Sequence, residues 1–281
     1  MSRSEAISLF TQMMSRKEED IELARAAILL AKEEYPDLDI DEYMRRIELM
    51  AQEIKRRAGH NTNPHFLIGE INRFLFTEMG FSGNEDDYYD PKNSFLNDVL
   101  DRKTGIPITL SVLYMEIAER AGLHVSGVGF PGHFIVMYSG AEKQILIDPF
   151  NKGRILSERD CQEILNRIYG GKITLQSEFL QTVTKKQILT RMLHNLKGIY
   201  LNSKSFIKAL SVVDMILIID PYEIHELRDR GLLYYHLECF AQALSDLEAY
   251  LRYAPEAEDT ELIRNYIPVL KELSKKNKLI N

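Results

Sequence analysis

The chain of 281 residues is 45% hydrophobic and 27% charged, with 35 Lys and Arg against 42 Asp and Glu and a formal net charge of -7. That apolar content is enough for a sizeable core and argues against disorder, and acidic charge spread along the whole length leaves no electrostatic footprint for nucleic acid or an anionic membrane. Cys161 and Cys239 stand alone, without a Cys or His at metal-ligand spacing, and read as buried thiols of a reducing compartment.

Residues 1–20 hold no apolar run followed by a small-residue cleavage site. The most apolar stretch, residues 212–219, is broken by Asp214 and falls short of the roughly 20 residues a bilayer needs. A cytoplasmic protein is expected. From residue 15 to about 79, apolar residues recur at helical spacing: Ile21, Ala24, Ala27 and Ile28, then Met44, Ile47 and Ala51, then Phe66, Ile71 and Leu75. Turn-rich breaks at residues 36–39 and 59–64 separate three helices, with Pro64 suited to the first turn of the third. Residues 80–90 form a loop with the acidic run Glu85, Asp86 and Asp87, a run that could meet a divalent cation or a basic peptide; it lacks the alternating ligands and distal bidentate Glu of a calcium loop, and a solvated loop is the expectation.

The pattern then changes. Residues 108–121 read as an amphipathic helix begun by Pro107 and ended by Gly122. Strands follow at residues 125–130, 133–138 and 144–147, with Ser139, Gly140 and Ala141 as a hairpin turn. A helix over 158–169 closes the unit. Residues 184–279 are helical and repeat with an offset of 34, pairing Leu193 with Leu227, Tyr200 with Tyr234, Phe206 with Phe240, Ala209 with Ala243, Leu210 with Leu244 and Pro221 with Pro255. This is the tetratricopeptide period, with its small residue and helix-ending proline. The position 34 beyond Leu196 departs from the pattern, being Arg230. Two repeats seldom bury a continuous core, so residues 261–273 are expected to form a capping helix and the stack to lean on the preceding domain.

Three segments carry a resemblance. Residues 96–111, which include Gly105, Ile106, Pro107 and Ser111, residues 129–134 (Gly129, Phe130, Pro131, Gly132, His133 and Phe134) and residues 147–150 (Ile147, Asp148, Pro149 and Phe150) resemble the transglutaminase-like core of bacterial proteins in the SirB group. With the helical N-terminus and the repeats, the resemblance covers nearly the whole chain. It implies an α+β fold: a helical N-terminal region (1–90) packing on the core, a transglutaminase-like (papain-like) core with a small antiparallel sheet (91–180), and α-helical tetratricopeptide hairpins with a capping helix (184–281).

In competent members of that superfamily a Cys at the start of the core helix attacks, a His takes its proton and an Asp orients the imidazole. The resemblance maps the His onto His133 and the Asp onto Asp148, but Pro107 falls where the nucleophile is expected. Ser111, four residues on and about 6 Å along the axis, lies near the same helix face. Thr104, Thr109 and Cys161 are weaker substitutes, and Ser111 and the His133–Asp148 pair also suit purely structural roles. The other histidines, His60, His65, His124, His194, His225 and His236, share no metal-binding spacing, so no metal or cofactor is expected. Three functions follow from this pattern. One is a non-catalytic scaffold or adaptor binding a protein or peptide through the repeats, with Arg228 and Tyr235 as candidate contacts, and through the cleft. The others are a hydrolase or acyltransferase using Ser111, His133 and Asp148, and a peptide or small-molecule sensor without turnover. Neither nucleic acid nor membrane is an expected partner.

Overall fold

The computed structural model describes residues 3–140 and 144–280, with side chains at 5–140 and 144–276. Two compact units emerge, Met1–Met192 and Leu193–Asn281.

The first unit opens with helices α1 (Arg3–Met14), α2 (Leu23–Leu29), α3 (Ile40–Ala58) and α4 (Pro64–Asn72). The Asp39 carboxylate starts α3 by accepting from the N–H groups of Asp41 and Glu42 at 3.0 and 3.2 Å. Asn63 does the same for α4, with Pro64 as its first residue, so the otherwise orphan donors of both helix starts are met. Beyond Asn72 the coil widens into a π-helical run, Arg73–Glu78. Helix α1 was not foreseen from the spacing, although Phe10, Met13 and Met14 are buried on it. Phe66, placed on the apolar face by its spacing, is 39% exposed.

Strand β1 (Ser82–Gly83), helix α5 (Leu96–Arg102), strand β2 (Thr104–Gly105) and helix α6 (Pro107–Ala121) follow. The sheet comes next, with β3 (Val125–Val128), β4 (Ile135–Ser139), β5 (Gln144–Asp148) and β6 (Arg154–Leu156), and then helix α7 (Glu158–Tyr169). The four strands lie antiparallel in the order β3-β4-β5-β6. Alternation along the strands divides the sheet. Val128, Ile135, Met137, Leu146 and Leu156 pack with Cys161, Ile164 and Leu165 of α7, while α6 meets β3 and β4 and is backed by α2, α3 and α4.

Two expectations change here. Residues 129–134 are a turn, because Gly132 sits at φ 66° and His133 N–H bonds back to the Phe130 carbonyl at 3.0 Å. His133 therefore precedes β4 and does not begin it, and the second partner of β5, beside β4, is the unforeseen β6. Of the proposed hairpin turn, Ala141 lies outside the described residues.

Helix α8 (Lys185–Asn202) is followed in the second unit by α9 (Phe206–Ile219), α10 (Ile224–His236), α11 (Phe240–Tyr253) and α12 (Thr260–Ile280). The 34-residue offset reaches the backbone itself. Lys204 and Glu238 both turn left-handed, at φ 54° and 58°, and Ser205 and Cys239 both bond back to the carbonyls of Tyr200 and Tyr234 at 2.8 Å. Ala209 and Ala243 are fully buried. The departure at Arg230 has a physical reason. Its guanidinium bridges Asp246 of α11, at 2.7 and 3.0 Å, and Asp214 of α9, at 3.2 Å, tying three helices where a leucine would only fill space. Cys239, expected to be buried, is only partly so.

Candidate functional site

The start of α6, the turn before β4 and the end of β5 meet at a cleft of about 350 Å³ whose walls include Pro107, Gly132, His133, Phe150 and Asn151. His133 Nε2 lies 3.0 Å from Asp148 Oδ2, and both side chains are buried. The sequence positions 133 and 148 are thus a joined pair. Asn151 completes it, its amide donating to Asp148 Oδ2 at 2.7 Å and its backbone N–H to Oδ1 at 3.3 Å. Burial opposes the charge on Asp148, yet the hydrogen bond and charge of His133, with the two donors of Asn151, hold its carboxyl below the ordinary range. Nε2 is thus the imidazole nitrogen that the carboxylate engages.

Ring packing fixes the imidazole further. Phe150 meets it edge-on at 5.9 Å between centroids, and Gly83 lets Phe150 sit there, since a Cβ on Gly83 would stand 2.5 Å from that ring. Strand β1 is held by its parallel pairing with β2, Ser82 with Thr104 and Gly83 with Gly105. Asn84 N–H extends the pairing to the Gly105 carbonyl at 3.0 Å. The loop that follows supplies Glu85 and Tyr88 to the cleft wall. The acidic loop, expected from the sequence to be a solvated loop, thus borders the cleft.

The other candidates are placed differently. Ser111 is fully buried on α6, with its hydroxyl 3.5 Å from the Phe134 carbonyl, and it is not among the residues lining the cleft. Thr109 donates to the Asn93 carbonyl at 2.8 Å and accepts from Ile106 N–H at 3.1 Å. Thr104 donates to the Arg102 carbonyl. Cys161 is buried on α7, and burial pushes its thiol up to about 11. Among the described residues no cluster of three or more His, Cys, Asp or Glu is arranged to hold a metal ion.

Arg191, which the sequence did not single out, donates from one guanidinium nitrogen to the carbonyls of Phe130 and His133 at 3.0 and 2.6 Å. It clamps the turn that carries the imidazole and lies over the Phe134 ring. In the second unit, Arg228 is tied to Asp229 and Asp259, and Tyr235 packs against Phe240 and Tyr266. The exposed aromatics are instead Tyr222 and Tyr253, which border a groove of about 370 Å³ with Pro221 and Leu227. No helix among the described residues is long and apolar enough to cross a membrane.

Residues 41–194 match the family described as Transglutaminase-like superfamily, and residues 196–268 the Tetratricopeptide repeat. A UPF0162 protein of Xylella fastidiosa (strain Temecula1) is 34% identical over 264 residues, covering 93% of this chain and 94% of that one. The UPF0162 protein of Vibrio cholerae is 29% identical over 251 residues, covering 89% and 93%. Human F-box only protein 21 is 31% identical over 182 residues, which is 61% of this chain and 28% of its own.

Proposed function

From the fact that this chain belongs to the transglutaminase-like superfamily, within the bacterial UPF0162 (SirB-like) family, and carries tetratricopeptide repeats, we propose that it is a non-catalytic scaffold or adaptor. In this reading residues 1–90 support the core at 91–180, whose cleft binds a protein segment, and residues 184–281 offer a second binding surface. One observation carries it: Pro107 stands in the cleft beside His133, and no serine, threonine or cysteine is among the residues lining that cleft. Proline has neither a nucleophile nor an N–H. The buried Ser111 hydroxyl favours the same reading over a hydrolase or acyltransferase. Turnover-free sensing of a peptide or small molecule would use the same cleft, and a ligand that raises the melting temperature is its signature.

Pro107→Cys tests the assignment. A thiol at a helix start beside an imidazole has its pKa lowered, so the variant is expected to react with iodoacetamide at neutral pH about tenfold or more faster than the parent protein, with His133→Ala abolishing the gain. A gain that survives His133→Ala would remove Pro107 from the nucleophile position. The parent itself is expected to show no His133-dependent labelling by serine- or cysteine-reactive probes; such labelling would sink the non-catalytic reading.

The exposed pair on the repeats supports the second surface. Tyr222 is 89% and Tyr253 69% exposed, and tyrosine is enriched among the few residues that carry most of an interface's binding energy. Tyr222→Ala with Tyr253→Ala is expected to weaken capture of a partner by about tenfold or more in quantitative cross-linking, while the circular dichroism spectrum stays unchanged. Undiminished capture would place the binding surface elsewhere.

A further inference from the structure

Arginines of the first unit are, as a rule, neutralised: Arg25, Arg46, Arg57 and Arg120 each meet a carboxylate within 2.9 Å. Around the cleft that rule fails. Arg167 is exposed on the cleft wall, and among the described residues it has no ion pair or hydrogen bond. Arg191, half-buried behind the same turn, meets two carbonyls and no carboxylate. Burial draws its pKa down, and the aromatic groups near it, Tyr88 and Tyr169, supply no carboxylate. A partly desolvated guanidinium without a counter-ion is costly, and an anion placed near it offsets that cost. The buried carboxylate beside the cleft, Asp148, is already held by His133 and Asn151. Glu85 on the wall is the remaining acid of the cleft.

We propose that the cleft beside His133 binds a carboxylate-bearing peptide segment, with Arg167 in direct contact and Arg191 adding positive potential from behind the turn. This rests on the reading of the cleft as a protein-binding site and adds the charge of what enters it. Phe150, Ile164 and Ile168 line the same cleft and would cover the aliphatic stem of an acidic side chain. Glu85 repels the ligand, so the segment's carboxylate lies on the Arg167 side.

The test uses the full chain with ¹⁵N-labelled histidine and follows the His133 ring signals. The probes are a capped Ala-Glu-Glu-Ala peptide, its glutamine counterpart and inorganic phosphate. The glutamate peptide is expected to shift the His133 signals and to bind about tenfold or more tighter than the glutamine peptide. Arg167→Gln, an exposed change that leaves the fold intact, is expected to erase that preference, and Glu85→Gln to strengthen it. Equal binding of both peptides at His133 would overturn the charge assignment and leave the cleft as a binding site. Phosphate displacing the glutamate peptide at equal concentration would overturn the peptide in favour of a small free anion. If neither peptide moves the His133 signals, both this inference and the binding role of the cleft fall.

Discussion

A chain carrying Asp148→Ala is expected to lose about 3 kcal/mol of stability, because the buried His133 ring and the half-buried Asn151 amide lose their acceptor at once. For a unit of this size that is a fall of roughly 6–12 °C in melting temperature. Asp148→Asn keeps an oxygen in place and isolates the charge. Because the folded carboxyl sits below its ordinary range, its contribution is fully present above the unfolded pKa and is lost as pH falls through the folded one. Denaturant unfolding from neutral pH into the acid range is therefore expected to show the parent's advantage over Asp148→Asn shrinking as the solution becomes acidic. An advantage unchanged with pH would mean that the charge plays no part.

Gly153→Ala is the second large effect. Gly153 holds φ at 72°, where a Cβ costs about 1–2 kcal/mol. That Cβ would also stand 2.0 Å from Asn72 Oδ1. Asn72 must then move, and it is the residue whose amide donates to the Gly153 carbonyl at 2.7 Å. With the lost hydrogen bond, about 2–4 kcal/mol is expected. The turn at 149–153 carries Phe150 and Asn151, so His133 signals should shift as well. Asn72→Ala in the same chain removes the clash and should recover part of the loss; a double variant no better than Gly153→Ala would show that the backbone angle alone is responsible.

The sequence was most legible where local chemistry decides structure. Ser157 and Asp160 cap α7 reciprocally, and Gly170 ends it in the left-handed region, so its limits followed from the residues themselves. The 34-residue repeat was legible for the same reason. The strands around His133 were overdrawn because Phe130 and Phe134 look like strand residues, yet both are buried from a turn. Strand β1 pairs with residues about 20 positions away over only two residues, which no periodicity can reveal. Helix α1 has weak amphipathic character and falls outside the residues where helical spacing was clear. At the candidate site, His133, Asp148 and Pro107 were found through motifs. Glu85, Tyr88, Asn151 and Arg191 were not, because each acts through tertiary placement.

The pairing of β1 with β2 bears on how this protein can be divided. One wall of the cleft comes from residues before 90, and Gly83 holds the ring that steadies the imidazole. A chain shortened to begin at residue 91 would keep Pro107, His133 and Asp148 and still present only part of a site. The helical beginning and the motif-bearing middle are therefore a single structural unit, and mutations in the acidic loop should be read as changes to the pocket and not to its support.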